Sequence, residues 1–229
     1  MARPADPNAK EALVAAARAE FARKGLVGAR IEDITSACGL SKGAFYLHFP
    51  SKEALFGELV EAFLRFISEC DDRREKKVAA FFTEHGPITR RDQEERSAKY
   101  RAYMEIETAE DREVLEHMWA YRDVVGVLLR GAQGTKFEGA IWEITEREIE
   151  RIKENIHRVY GENACRTDVP PEIFGSLIVG TYVLLGMRMS RMTEKPDLAE
   201  WARSLHALIH EGSLPPSPSP EDRPSRSQS

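Results

Sequence analysis

From Ser41 to Lys52 the sequence reads SKGAFYLHFPSK, which places a lysine, a tyrosine and a histidine among small residues and two phenylalanines. If this stretch is helical, Phe45 and Phe49 lie one turn apart on the inner face. Lys42, Tyr46, Leu47 and His48 then point outward. Lysine can donate to guanine O6 and N7, and tyrosine and histidine can reach base edges or phosphate oxygens. Ser41, Lys42, Gly43 and Ala44 open the helix with small or flexible residues, so its backbone can approach a duplex closely. Ser51 and Lys52 begin the next helix, where backbone amides and a cation would favour a phosphate. Taken singly, Tyr46 could be a packed aromatic and Lys52 a solvated lysine; the set together points to DNA.

No other cluster carries chemistry of comparable weight. The chain has no G-x-S-x-G elbow, no H-E-x-x-H pair and no glycine-rich phosphate loop behind a strand, so no enzymatic activity and no cofactor are expected. His206 and His210 are spaced i, i+4 but have no third ligand in the sequence, and they read as surface histidines rather than a metal site. His117 beside Glu116 reads as incidental. Cys38, Cys70 and Cys165 are far apart and form no C-x-x-C pair, which suits reduced thiols in a cytoplasmic protein.

The elements that must position the outward residues are all helical. Asp6-Pro7 offers a cap and a first-turn proline. Leu13, Ala17 and Phe21 then recur every four residues until Gly25. A short second helix is expected over Ile31–Cys38, stopped by Gly39, which can adopt the left-handed turn without steric cost. Ser41 caps a third that ends near Phe49, because Pro50 disfavours helix before it. Ser51 starts a fourth, with Leu55, Leu59, Phe63 and Ile67 on one face. Two short helices around a glycine turn are the ingredients of a helix-turn-helix, whose second helix enters the major groove. Ile31, Ile34, Ala37 and Leu40 would form its seam.

At these residues the sequence resembles the DNA-binding domain of TetR-family transcriptional regulators. The agreement runs through Gly25, Ile34, Gly39-Leu40-Ser41, Lys42-Gly43, Phe45-Tyr46, His48-Phe49 and Pro50-Ser51-Lys52-Glu53-Ala54-Leu55, within about residues 8–67. The resemblance implies base reading by Lys42, Gly43 and Tyr46, with backbone or mixed contacts from Ala44, Leu47, His48 and Lys52; Arg30 and Ser41 are further candidate DNA contacts. Three positions depart from the family pattern. Arg30 stands where a threonine commonly caps helix two and meets phosphate; Thr35 replaces an alanine; Ala44 replaces a hydroxyl residue.

Beyond residue 70, charged and apolar positions alternate through Tyr100 to Arg130. A charged helix from about Phe137 to Tyr160 carries Ile149, Ile152, Ile156 and Val159 at heptad-like steps. Pro170-Pro171 opens a helix that is uncharged from Ile173 to Met187, about 15 residues and short of the roughly 20 that span a bilayer. A last helix follows Asp197. From Ser213 a Pro/Ser/Arg-rich tail reads as disordered. The expected architecture is all-α: a helix-turn-helix three-helix domain (8–67), joined by a connecting helix to an all-α effector-binding and dimerisation domain (68–212), with a tail (213–229). The helices near 138–160 and 171–192 would pair across a two-fold axis. Tyr103, Met104, Met118, Trp119, Phe137, Trp142 and Tyr182 could line an effector pocket or be plain core.

The 229 residues are 42% hydrophobic, enough for a sizeable core. Their net charge of −5 opposes nucleic-acid binding until it is divided. Residues 1–52 hold eight Lys/Arg against five acids, and the remainder carries −8. The reading is therefore a cytoplasmic homodimeric repressor on a palindromic double-stranded DNA operator, released by a small-molecule effector, with no membrane partner. The alternatives are a helical ligand-binding or enzymatic protein with a vestigial helix-turn-helix, and an architectural DNA-binding protein without effector.

Overall fold

Proline and glycine punctuate the chain, and helices fill the intervals between them. The computed structural model describes residues 7–160 and 170–211, whose regular elements are ten helices. Asp6, Cys165 and the 213–229 tail lie outside the described residues, as do the side chains of Ile156, Val159 and His210. The all-α expectation is met throughout the described chain.

The first unit is α1 (Pro7–Gly28), α2 (Ile31–Ala37), α3 (Lys42–His48) and the start of α4 (Lys52–His85). Gly25 interrupts α1 with φ +69° and ψ 171°, which turns the chain toward α2. Leu13, Ala17 and Phe21 are fully buried with Ile34, Phe45, Phe49, Leu55 and Phe56. The connecting helix α4 is 34 residues long, so a boundary at residue 67 falls inside it.

After α4 come α5 (Arg90–Glu94), α6 (Ala98–Ala120), α7 (Arg122–Arg130), α8 (Ala140–Tyr160), α9 (Pro171–Met189) and α10 (Leu198–Glu211). Helix α5 went unread in the sequence, although its Thr89/Asp92 capping box is present in full. Phe137 is not part of α8. It lies before that helix and reaches Phe56, ring centroids 5.0 Å apart, which joins it to the first core.

That core also takes in α7. Val124, Val127 and Leu128 are buried in the same cluster as Phe21 and Phe56, so the two halves of the chain share apolar packing. Arg18 of α1 forks onto Asp123 of α7 through Nε (2.8 Å) and Nη2 (2.6 Å) and donates to the Ala120 carbonyl. At the far end of the seam, Leu26 N–H donates to Gly131 O at 2.8 Å.

The second unit contains a polar layer. Asp111 of α6 meets Arg74 of α4 and His206 of α10, the latter at 2.6 Å. Burial opposes the charged form of Asp111, yet Arg74 and His206 hold its carboxyl well below the usual range. Burial and Asp111 together push the Tyr182 hydroxyl up. His206 is therefore no surface residue; it is 3% exposed, because it lies on the face of α10 that packs on α6. His117 stacks on Phe66 at 4.0 Å. Met118 is core, Tyr182 packs at the edge of the same cluster, and Trp142 is exposed. Cys38 and Cys70 are free thiols.

Helix α9 has two faces. Gly175, Val179, Gly186 and Met189 are buried against the protein, while Ile173, Leu177 and Leu184 are exposed. Its 19 residues are long and apolar enough, by length and composition, to cross a membrane, although the uncharged run alone is shorter.

The seam yields a prediction. A Cβ at Gly25 would lie 3.1 Å from the Gly131 carbonyl oxygen in a backbone region that favours glycine. Gly25→Ala should therefore destabilise the fold by about 1–3 kcal/mol in urea titration. A change below about 0.5 kcal/mol, the range of an ordinary surface substitution, would show that the close approach does not constrain the chain.

Candidate nucleic-acid interface

Helix α3 is short, and its position is set from both ends. Ser41 caps it, its Oγ accepting from Ala44 N–H at 3.1 Å. Phe45 and Phe49 anchor it from below, both fully buried and 5.7 Å apart. Upstream, α2 ends and Gly39 turns with φ +69°, after which Leu40 N–H donates to Thr35 O at 2.9 Å. Thr35, at an alanine position of the family pattern, is tolerated because its hydroxyl donates to Ile31 O and Glu32 O within its own helix.

The outward set emerges as the spacing requires. Tyr46 is 56% and Leu47 64% exposed; Lys42 and Gly43 are exposed, and Ala44 and His48 half-buried. Tyr46 rests edge-on against Phe45, ring centroids 5.6 Å apart, so an exposed ring is held from one side. A Cβ at Gly43 would sit 3.6 Å from Ser41 Oγ, in ordinary contact. Nothing inside the chain requires glycine there, which suits a position kept small for close approach of another molecule.

The charges are distributed differently from what the sequence count suggests. Lys10 pairs with Glu58, Arg18 with Asp123, Arg23 with Glu20, Lys24 with Glu20 and Asp33, and Lys42 with Glu32. Arg30 is the N-cap residue of α2 without a side-chain capping bond, as the loss of a threonine there implies. Among the described residues up to 52 it is the one lysine or arginine whose side chain makes no hydrogen bond or ion pair. The basic excess of this end is thus largely neutralised within the fold.

Lys52 is the largest surprise among the candidate contacts. Its ammonium donates to Val27 O (2.9 Å) and Ala29 O (2.8 Å), carbonyls where α1 ends and the chain turns into α2. A cation is favoured there by the helix dipole and by unsatisfied carbonyls. Ser51 Oγ in turn accepts from Ala54 N–H, so the start of α4 is already capped. Lys52 fastens α4 to the α1–α2 turn with two of the three donors of its ammonium. Sequence reasoning also missed Glu32, whose carboxylate meets Lys42, and the Arg18–Asp123 fork. An acid in the first turn of α2 was visible; a partner 105 residues away was not.

The role of Lys52 can be tested directly. Lys52→Met should lower folding stability by about 1–3 kcal/mol, the range for hydrogen bonds from a charged donor, as read by chemical denaturation without DNA. Unchanged stability would return Lys52 to the solvated surface.

Residues 13–59 match the family described as bacterial regulatory proteins, tetR family. The uncharacterized HTH-type transcriptional regulator YerO of Bacillus subtilis (strain 168) is 47% identical over 55 residues, 24% of this chain and 19% of that protein. The HTH-type transcriptional repressor DhaR of Mycobacterium sp. (strain GP1) is 44% identical over 43 residues, 19% of this chain and 22% of that one. These matches span about a fifth of each relative's length. The fold likeness extends much further. NalD of Pseudomonas aeruginosa, described as the secondary repressor of a multidrug efflux pump, superposes with TM-score 0.58 at 17% identity, over 90% of this chain and 96% of that one. FadR of Bacillus subtilis, solved with stearoyl-CoA, gives 0.60 at 14% identity, over 89% and 99%. Residues 13–59 are thus similar to the DNA-binding segment of the tetR family, and the chain shares its fold along nearly its whole length with these solved proteins.

Proposed function

We propose that the chain is a transcriptional repressor that binds a palindromic DNA operator as a homodimer and leaves it when a small molecule binds the effector domain. The observation that carries this reading is the recognition helix. Lys42, Gly43, Tyr46 and Leu47 are presented outward on a helix pinned by Phe45 and Phe49. Residues 8–67 would form the DNA-binding unit and 68–212 the effector and dimerisation domain. Arg30, Ser41, Ala44, His48 and Lys52 surround the reading residues and would add backbone or mixed contacts. Two copies would place their α3 helices in successive major grooves, about 34–36 Å apart.

The dimer reading is supported by α9. Its outer stripe of Ile173, Leu177 and Leu184 is exposed, and an apolar face of this kind marks an interaction surface. Gly180 lies on it with nothing within 4 Å of a Cβ built there, leaving room for a second helix. Helix α9 packs on α6, α7 and α8 of its own chain, so it belongs to a bundle; a partner copy, rather than lipid, would cover the other face. Ile149 of α8 is taken by Gly175 of the same chain, 3.3 Å from a Cβ at that glycine. The outer stripe of α9 therefore supplies more of the interface than the Ile149 row. Cytoplasmic location follows from the proposed work on DNA.

An effector fits the same scheme. A protein of this fold has been solved with stearoyl-CoA. The class of effector is found by selecting duplexes from a random pool and screening small molecules for release. Saturable release supports the repressor; DNA binding that no ligand weakens supports an architectural protein; no DNA binding leaves a helical ligand-binding or enzymatic protein.

Two outcomes are expected. Lys42→Ala and Tyr46→Ala should each weaken operator binding by about 10- to 100-fold, the cost of losing a base contact of about 1–3 kcal/mol, with the dimer intact; unchanged affinity in a gel-shift titration removes the recognition-helix assignment. Gly180→Leu should give a folded monomer by light scattering, because the added side chain meets only the partner. An intact dimer places the interface elsewhere.

A further inference from the structure

Glu32 is an acid on the surface offered to a polyanion. It lies in the first turn of α2, beside the start of the recognition helix, and its carboxylate pairs with the Lys42 ammonium. Both side chains are 53% exposed, so the pair lies at the surface and either member can turn to a new partner. Lys42 holds the Glu32 carboxyl below its usual range. The neighbouring Asp33 is similarly engaged by Lys24, at 2.7 Å, so both acids in the first turn of α2 are matched by lysines from other helices. An exposed ion pair adds little to folding stability. Its position matters more: the lysine best placed to read a base is neutralised by a carboxylate until DNA is met.

We propose that Glu32 is a specificity-determining residue, holding Lys42 in an ion pair that operator recognition opens and non-specific DNA leaves closed. The inference rests on the DNA-binding reading above. On a random duplex the protein tracks the phosphate backbone, where contacts are electrostatic and sequence-independent. With the pair closed, Lys42 adds no net charge to that encounter. On the operator α3 enters the groove, and a base edge replaces Glu32 as the partner of Lys42. The carboxylate thus suppresses binding to the wrong sequences more than to the right one, the repulsive element that discrimination requires.

The test uses the full-length chain and two probes, a random-sequence duplex and a duplex selected from a random pool, titrated by fluorescence anisotropy at several salt concentrations. The variants are Glu32→Gln, Glu32→Asp, Lys42→Ala and the Glu32→Gln/Lys42→Ala double variant, each checked for fold by circular dichroism. With Glu32→Gln, Lys42 becomes free to meet phosphate. The salt slope on the random duplex should steepen by about 0.9, one more phosphate contact. Between 50 and 200 mM salt this is an extra loss of about 3.5-fold in affinity. Random-duplex binding at low salt should tighten more than selected-duplex binding, so the ratio between the two falls. Glu32→Asp should retain the wild-type slope and ratio. In the Lys42→Ala background, adding Glu32→Gln should leave the slope where it was.

An unchanged slope and ratio in Glu32→Gln overturn the inference. So does the same steepening in the Lys42→Ala background, since Glu32 would then act as a plain repulsive charge. A wild-type chain that binds neither duplex overturns the DNA-binding reading, and this inference with it; normal wild-type binding with an inert Glu32→Gln overturns this inference alone.

Discussion

The structure depends on one close approach, where α1 meets α7. Gly25 and Gly131 meet backbone to backbone: a Cβ on Gly131 would lie 3.2 Å from Gly25 Cα, and the Leu26 amide reaches the Gly131 carbonyl at 2.8 Å. At the other end of the seam the Arg18 fork locks onto Asp123. Between them Val124, Val127 and Leu128 enter the same core as Phe21 and Phe56. The first unit is therefore not a bead on the connecting helix. It is held twice, covalently through α4 and by packing through α7. Packed interiors at crystal-like density deform little, so such contacts switch between arrangements more readily than they stretch.

Charge follows a similar economy. A chain of net charge −5 that is to meet phosphate cannot rely on bulk attraction. The structure shows that even its basic end is mostly neutralised. Lys10, Arg18, Arg23, Lys24 and Lys42 all face carboxylates, Lys52 faces carbonyls, and Arg30 stands apart. What remains on offer is geometry: an exposed tyrosine and leucine, a glycine that nothing internal requires, and a lysine in a surface pair that can exchange. Discrimination from such a surface comes from which contacts form, because the electrostatic background is low.

Much of this was legible without coordinates, and the limits have physical causes. The helix-turn-helix could be read because its determinants are local: Gly39 for a left-handed turn, Ser41 and Ser51 as caps, Phe45 and Phe49 one turn apart. Periodicity also found α9 and α10 to within a few residues. Helix α5 was missed because five residues carry too little pattern, although its capping box was there to see. His206 was placed on the surface because burial of a polar residue depends on a partner, Asp111, 95 positions away. Lys52 was assigned to phosphate because its type and place suit a phosphate. The carbonyls that claim it belong to the α1–α2 turn, and no periodicity reveals which side chain folds back on which helix end. The charge count failed for the same reason: it sums residues and cannot see pairs.

The seam and α9 are linked by further close contacts. A Cβ at Gly126 of α7 would lie 3.1 Å from Ser190 Cβ at the end of α9, and Arg130 donates to Ser190 Oγ at 3.1 Å. A Cβ at Gly186 would lie 3.1 Å from Met118 and 3.2 Å from Val125. Helix α9 thus carries two kinds of glycine. Gly186 is closed against α6 and α7, while Gly180 faces open space where a second copy is proposed. A shift of α9 against its partner must then be taken up at α7, whose C-terminal end also holds the Gly131 carbonyl against α1. In a dimer built on α9, spacing between the two copies of the first unit is set along this line as well as through α4. A ligand that favours one packing of α7 over another would change that spacing with no contact to DNA, which is the differential interaction that any population shift requires.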